Sequence, residues 1–112
     1  MYRPMTLATA LGVLAITAAA PPVAAYDLIN CERDHGAAER TICSSQRLQV
    51  LDARVTEQYT DIMLDSYIKG DVKRAVHESQ VNFLKRRDQC GTNVECLTEV
   101  MELRASRIHF YR

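Results

Sequence analysis

Four cysteines, Cys31, Cys43, Cys90 and Cys96, all follow an apolar N-terminal run, and this arrangement constrains the fold most. Arg3 is the only charged residue among the first 25, and residues 6–20 are uncharged and mostly Leu, Ala, Val and Ile. A membrane span needs roughly 20 apolar residues, so this run is short for one. Val23-Ala24-Ala25 places small residues just before Tyr26. The segment 1–25 therefore reads as a secretory signal peptide, with cleavage expected after Ala25. An even number of cysteines behind such a signal implies disulfides formed in an oxidising compartment, the periplasm or the cell exterior. Leu28-Ile29-Asn30-Cys31 loosely resembles a lipidation site. Asn30 is not the small residue such a site wants, Asp27 interrupts the apolar run, and lipidation would leave an odd number of thiols.

Cleavage leaves one domain, 26–112, which is 87 of the 112 residues. It holds 13 of the 14 basic residues against all 14 acidic ones, so no cationic face for nucleic acid is expected. A chain this short buries only about 60–65% of its unfolded surface, and covalent staples matter to it.

The mature chain reads as all-α, a small disulfide-stapled antiparallel bundle of three main helices after a short N-terminal one. Few segments alternate with period two, whereas apolar residues recur at three- and four-residue steps. A short element is expected at 36–42. The second, 46–67, starts after Ser45, a good N-cap, and carries the stripe Leu48, Leu51, Val55, Tyr59 and Ile62. The third is expected at 72–89 behind an Asp71 cap, with Val72, Val76 and Phe83 inward, Ser79 or Gln80 between them, and Leu84 beside them. Gly91 suits a left-handed stop. The fourth, 94–110, presents Val94, Leu97, Met101, Arg104 or Ala105, and Ile108. Its breaks are short, so neighbours pack antiparallel.

Four cysteines allow three pairings. Cys90 and Cys96 on one continuous helix would lie about 9 Å apart along its axis, too far to bond. Gly91-Thr92-Asn93 breaks that helix and makes a local bridge feasible. Local pairing, Cys31–Cys43 with Cys90–Cys96, is favoured. Pairing the first two cysteines with the last two stays open, because an antiparallel bundle could bring the start of the second helix near Cys90. The spacings of 12, 47 and 6 contain no C-x-x-C, and His35, His77 and His109 complete no zinc pattern. No metal or other cofactor is expected.

Several signatures then line up in order. Ala38-Glu39-Arg40-Thr41-Ile42-Cys43, followed by Leu48, Leu51 and Asp52, resembles the opening x-E-K-x-I-C and L-x-x-L-D of the LprI-like family of lysozyme inhibitors. Gln80-Val81-Asn82-Phe83-Leu84-Lys85-Arg86-Arg87-Asp88-Gln89-Cys90 is similar to the family's Q-x-x-W-L-x-x-R-D-x-C, with Phe83 for the usual Trp. Cys96-Leu97, with Arg104 further along, resembles C-L-x-x-x-Y-x-x-R, with Met101 for Tyr. The resemblance spans about 31–110. It implies a helical binding protein that blocks a lysozyme-type glycoside hydrolase or another envelope protein.

No catalytic constellation is visible. Ser44, Ser45, Ser66, Ser79 and Ser106 lack a triad-like context, and an 87-residue bundle has little volume for a pocket, so no enzymatic activity is expected. Lys85, Arg86 and Arg87 are the candidate partner-binding residues, since a lysozyme cleft carries two carboxylates. Asp88 sits near a helix C-terminus, where the macrodipole disfavours an anion. It is expected to be a structural ion-pair member, with Arg104 its foremost partner and Arg87 or Arg54 as alternatives. The other function class is an envelope structural or stress protein, or an immunity protein against a wall-degrading toxin.

Overall fold

The computed structural model describes residues 28–33 and 36–108, together with Pro4 and Gly12. The expected cleavage site at Ala25 and Tyr26 lies outside the described residues, as do His35, His109 and Phe110. Four helices follow one another: α1 (Ala37–Cys43), α2 (Gln46–Leu64), α3 (Gly70–Gln89) and α4 (Val94–Arg107). No strand occurs among the described residues. The molecule is an all-α bundle. The helix α3 runs antiparallel to both α2 and α4, which run the same way as each other. Leu48, Leu51 and Val55 of α2 pack with Leu97, Met101 and Ala105 of α4 and Phe83 of α3, whereas Tyr59 and Ile62, further along α2, pack with Ile108 and with the earlier Val76 of α3.

Local chemistry sets the helix ends. The Ser45 hydroxyl accepts the Leu48 N–H at 3.3 Å, so Ser45 caps α2. Asn93 caps α4 in the same way, taking the Cys96 N–H at 3.0 Å. Gly91 adopts φ +56° just past α3, a left-handed stop that L side chains resist.

The α2–α3 connection differs from the sequence expectation. Helix α2 stops at Leu64, not at residue 67, because Asp65 turns extended and its carboxylate accepts the Tyr67 N–H at 2.9 Å. That local bond competes with continuing the helix. Helix α3 begins earlier than expected, at Gly70 after an extended Lys69, so Asp71 lies in the first turn and is not the cap. There its charge still suits the positive end of the helix dipole. The regular part of α4 ends at Arg107.

The core forms two adjoining clusters. The larger joins Ala38 and Ile42 of α1, Leu48, Leu51 and Val55 of α2, Phe83 of α3, and Leu97, Met101 and Ala105 of α4. The smaller, near the α2–α3 turn, joins Tyr59, Ile62, Val76 and Ile108. Phe83 is almost fully buried, so truncation to Ala would leave a large void.

The disulfides are Cys31–Cys43 and Cys90–Cys96, both with Cα atoms 5.5 Å apart. The first fastens the N-terminal segment to the end of α1. The second closes the α3–α4 corner. Loop-entropy arguments assign about 3 kcal/mol to the first and about 2 to the second. Replacing Cys31 and Cys43 by Ser should therefore lower the unfolding free energy by about 3 kcal/mol in urea titration, and Phe83→Ala by roughly 3–5 kcal/mol.

Candidate functional site

The signature residues come from separate stretches of chain, and the fold gathers most of the charged ones at one place. Arg87, on the last turn of α3, is only 5% exposed. Its Nη2 lies 3.1 Å from the Glu39 carboxylate on α1, and its Nε and Nη2 donate to Asp88 at 3.1 and 3.0 Å. Asp52, buried on α2, accepts the Ile29 N–H at 3.3 Å. Burial pushes the Asp52 carboxyl above its ordinary pKa; the Ile29 N–H and the Arg87 charge pull it back, and the Glu39 charge adds to the rise. The N-terminal segment, α1, α2 and α3 thus meet at one polar hub. Glu39, Asp52, Arg87 and Asp88 serve the architecture.

A second polar contact joins α3 to α4. The Arg104 Nε donates to Gln80 Oε1 at 3.1 Å, and its guanidinium carbon stands 5.8 Å from the centre of the Phe83 ring. At that distance the cation interacts with the ring face. An aromatic residue at position 83 therefore fills the core and receives this charge as well.

Two sequence expectations change here. Asp88 pairs with Arg87 beside it and not with Arg104, and its side chain is 57% exposed. The reason is the helix rise: Arg104 lies level with Gln80, about 12 Å along α3 from Asp88. The basic run also splits. Lys85 and Arg86 are exposed, but Arg87 points inward and is held by its carboxylates. Successive helical residues turn by about 100°, so three adjacent bases cannot share one face.

The remaining reactive side chains are engaged locally. The hydroxyls of Ser44, Ser79 and Ser106 donate to carbonyls of Thr41, Val76 and Leu103, three residues back along the chain. His77 Nδ1 lies 2.8 Å from the Tyr59 hydroxyl, a contact that ties α3 to α2. No group of three or more His, Cys, Asp or Glu fit to hold a metal occurs among the described residues.

The cations Lys85 and Arg86 face outward, and a shallow furrow runs between α2 and α4. The bundle and hub define a class: a small disulfide-stapled helical domain whose signature side chains build the fold, leaving its outer faces for contact. The family described as Lysozyme inhibitor LprI matches residues 30–109, and the chain belongs to that family. No curated protein and no solved structure was found to match it. The matched span begins beside Cys31 and takes in both disulfides, the hub and all four helices.

The hub makes two predictions. Arg87→Ala removes the charge-assisted bonds to Glu39 and Asp88 and the cation that offsets the buried Asp52, and should cost roughly 1.5–3 kcal/mol in chemical denaturation. The raised Asp52 pKa means that the folded state holds a proton which the unfolded state releases. Its contribution to stability is present below the unfolded pKa and is lost as pH rises through the folded one. Asp52→Asn keeps an acceptor for the Ile29 N–H and removes the titration. The stability of the wild type relative to Asp52→Asn should therefore fall as pH rises from about 4, then level off, in pH-dependent thermal melts. Parallel profiles would reject Asp52 as the source.

Proposed function

We propose that the chain is an exported protein that binds a lysozyme-type hydrolase and inhibits it by covering its substrate cleft. The family match over residues 30–109 carries this proposal. The two disulfides support export to the periplasm or cell exterior, where such bonds persist. No helix among the described residues is long and apolar enough to cross a membrane. The mode of action is steric and electrostatic and uses no cofactor.

Lys85 and Arg86 are the proposed contact cations. They stand exposed on the C-terminal half of α3. Two carboxylates in a glycosidase cleft form a fixed negative site that such cations complement. Arg87 orders the end of α3 and is not itself in contact.

The test is a titration of the oxidised chain 26–112 into lysozyme clearing a cell-wall suspension. Stoichiometric inhibition is expected, and reducing the disulfides should abolish it. Lys85→Ala with Arg86→Ala should raise the half-inhibiting concentration by about tenfold or more while leaving the helical circular dichroism unchanged. Arg87 is left intact, since removing it unsettles the fold. Undiminished inhibition by the double variant would move the contact to another face. No inhibition by a folded, oxidised sample would exclude that lysozyme as the target.

A further inference from the structure

On the side of α2 and α4 away from α3, the bundle has an open furrow of ≈ 650 Å³ beside Arg47, which continues past Leu51 and Arg54. Val50, Val94 and Leu103 line it and are about half exposed, at 55%, 50% and 47%. They are three of the six large apolar side chains left exposed among the described residues. The charges beside them are sorted by helix. Arg47 and Arg54 edge the α2 side, and Glu95, Glu99 and Glu102 edge the α4 side. Only Arg47 and Glu102 pair across the furrow, at 2.8 Å, and both stay well exposed, at 72% and 51%. An ion pair that exposed contributes little to the fold. Gln58 lines the same furrow with its side-chain oxygen buried and without a hydrogen-bond partner.

We infer that this furrow is the interface of a reversible homodimer, with a second copy of the chain as its occupant. The charge pattern selects that partner. A two-fold axis parallel to the helices lays α2 of one copy against α4 of the other, pointing the same way. Arg47 and Glu102 are level within one chain, so the axis sets each Arg47 level with the partner's Glu102. The basic edge then meets the acidic edge twice, which a self-complementary contact requires. A two-fold axis across the helices would set base against base and acid against acid. The exposed apolar side chains beside these charges are partly covered in the process.

The size of the face fits a weak dimer. Fourteen residues of α4 extend about 21 Å, and two adjacent helices are about 20 Å wide. Roughly 400 Å² per copy is available, about 800 Å² in total, which is the scale of a weak, transient contact. The exposed charge edges make the association sensitive to salt. Lys85 and Arg86 lie on α3, outside this interface, so a dimer would present two copies of the proposed contact cations.

Sedimentation of the oxidised chain 26–112, from about 1 to about 200 μM, tests the inference. A monomer–dimer equilibrium is expected, weakening several-fold when salt rises from about 0.05 to about 0.5 M. Two variants invert one edge each: Arg47→Glu with Arg54→Glu, and Glu95→Lys with Glu99→Lys and Glu102→Lys. Each should be monomeric alone, with unchanged helicity, and the two mixed should form a 1:1 heterodimer. Leu103→Asp should be monomeric as well. A wild type that stays monomeric throughout, edge variants that still self-associate, or a mixture that forms no heterodimer would each overturn it. A monomeric wild type whose inhibition of lysozyme is lost in Leu103→Asp would assign the furrow to the hydrolase instead. These readouts need no hydrolase, so failure of the inhibitor proposal and failure of the dimer are separable.

Discussion

The buried Arg87 guanidinium is the contact on which the arrangement of the four helices most depends. It joins α3 to α1 through Glu39, holds Asp88 beside it, and supplies the positive charge that offsets the buried Asp52 on α2. Asp52 in turn accepts the Ile29 N–H and so fixes the N-terminal segment. Arg87 and Asp52 are the buried charges of this group, each costly to bury alone, and the half-buried Glu39 and exposed Asp88 complete the pairing of Arg87. The disulfides act on the same segments from outside. Cys31–Cys43 ties the chain that Asp52 holds, and Cys90–Cys96 closes the corner three residues beyond Arg87. Covalent and ionic constraints therefore converge on the end of the bundle where α1 sits. The opposite end, around Tyr59, Ile62, Val76 and Ile108, rests on apolar packing and on the Tyr59–His77 hydrogen bond.

This division bears on function. The side chains that identify the family, Glu39, Asp52, Arg87, Asp88, Gln80 and Arg104, are almost all engaged with one another. A residue committed to an interior ion pair is poorly placed to grip a partner. Family membership thus accounts for the shape of the domain, and the proposed partner contact is assigned to residues that the signatures pass over. Lys85 and Arg86 on α3, and the sorted charges along α2 and α4, occupy such positions. A small bundle with rigid corners can offer these faces with little conformational cost on binding.

Much of the fold was legible in the chain before any coordinates. The stripe Leu48, Leu51, Val55, Tyr59 and Ile62 is buried throughout, as are Leu97, Met101 and Ile108. Ser45 and Gly91 mark a helix start and a helix stop as their chemistry suggests. What escaped was decided by competition between near-equal local options. Asp65 diverts the chain by bonding the Tyr67 N–H, although Tyr67 continues a helical pattern. Lys69 precedes α3 although Asp71 is the better capping residue, because the turn after Asp65 leaves residues 70 and 71 already helical. Of the candidate site, the basic run was visible as composition, but its split was not: Lys85 and Arg86 face out while Arg87 faces in.

The sequence alone determined the helical class, the four elements, their apolar faces apart from Val94, which stands half exposed, the even cysteine count and the family. These follow from periodicity, caps and short-range spacing, which act over a few residues. Only the tertiary structure decided which charges meet. Arg87 found Glu39, 48 residues away, Arg104 found Gln80 and not Asp88, and two sets of opposite charges came to flank one furrow. Ion pairing depends on distances across packed helices, and those distances exist only once the apolar stripes have set the level and rotation of each helix against its neighbours.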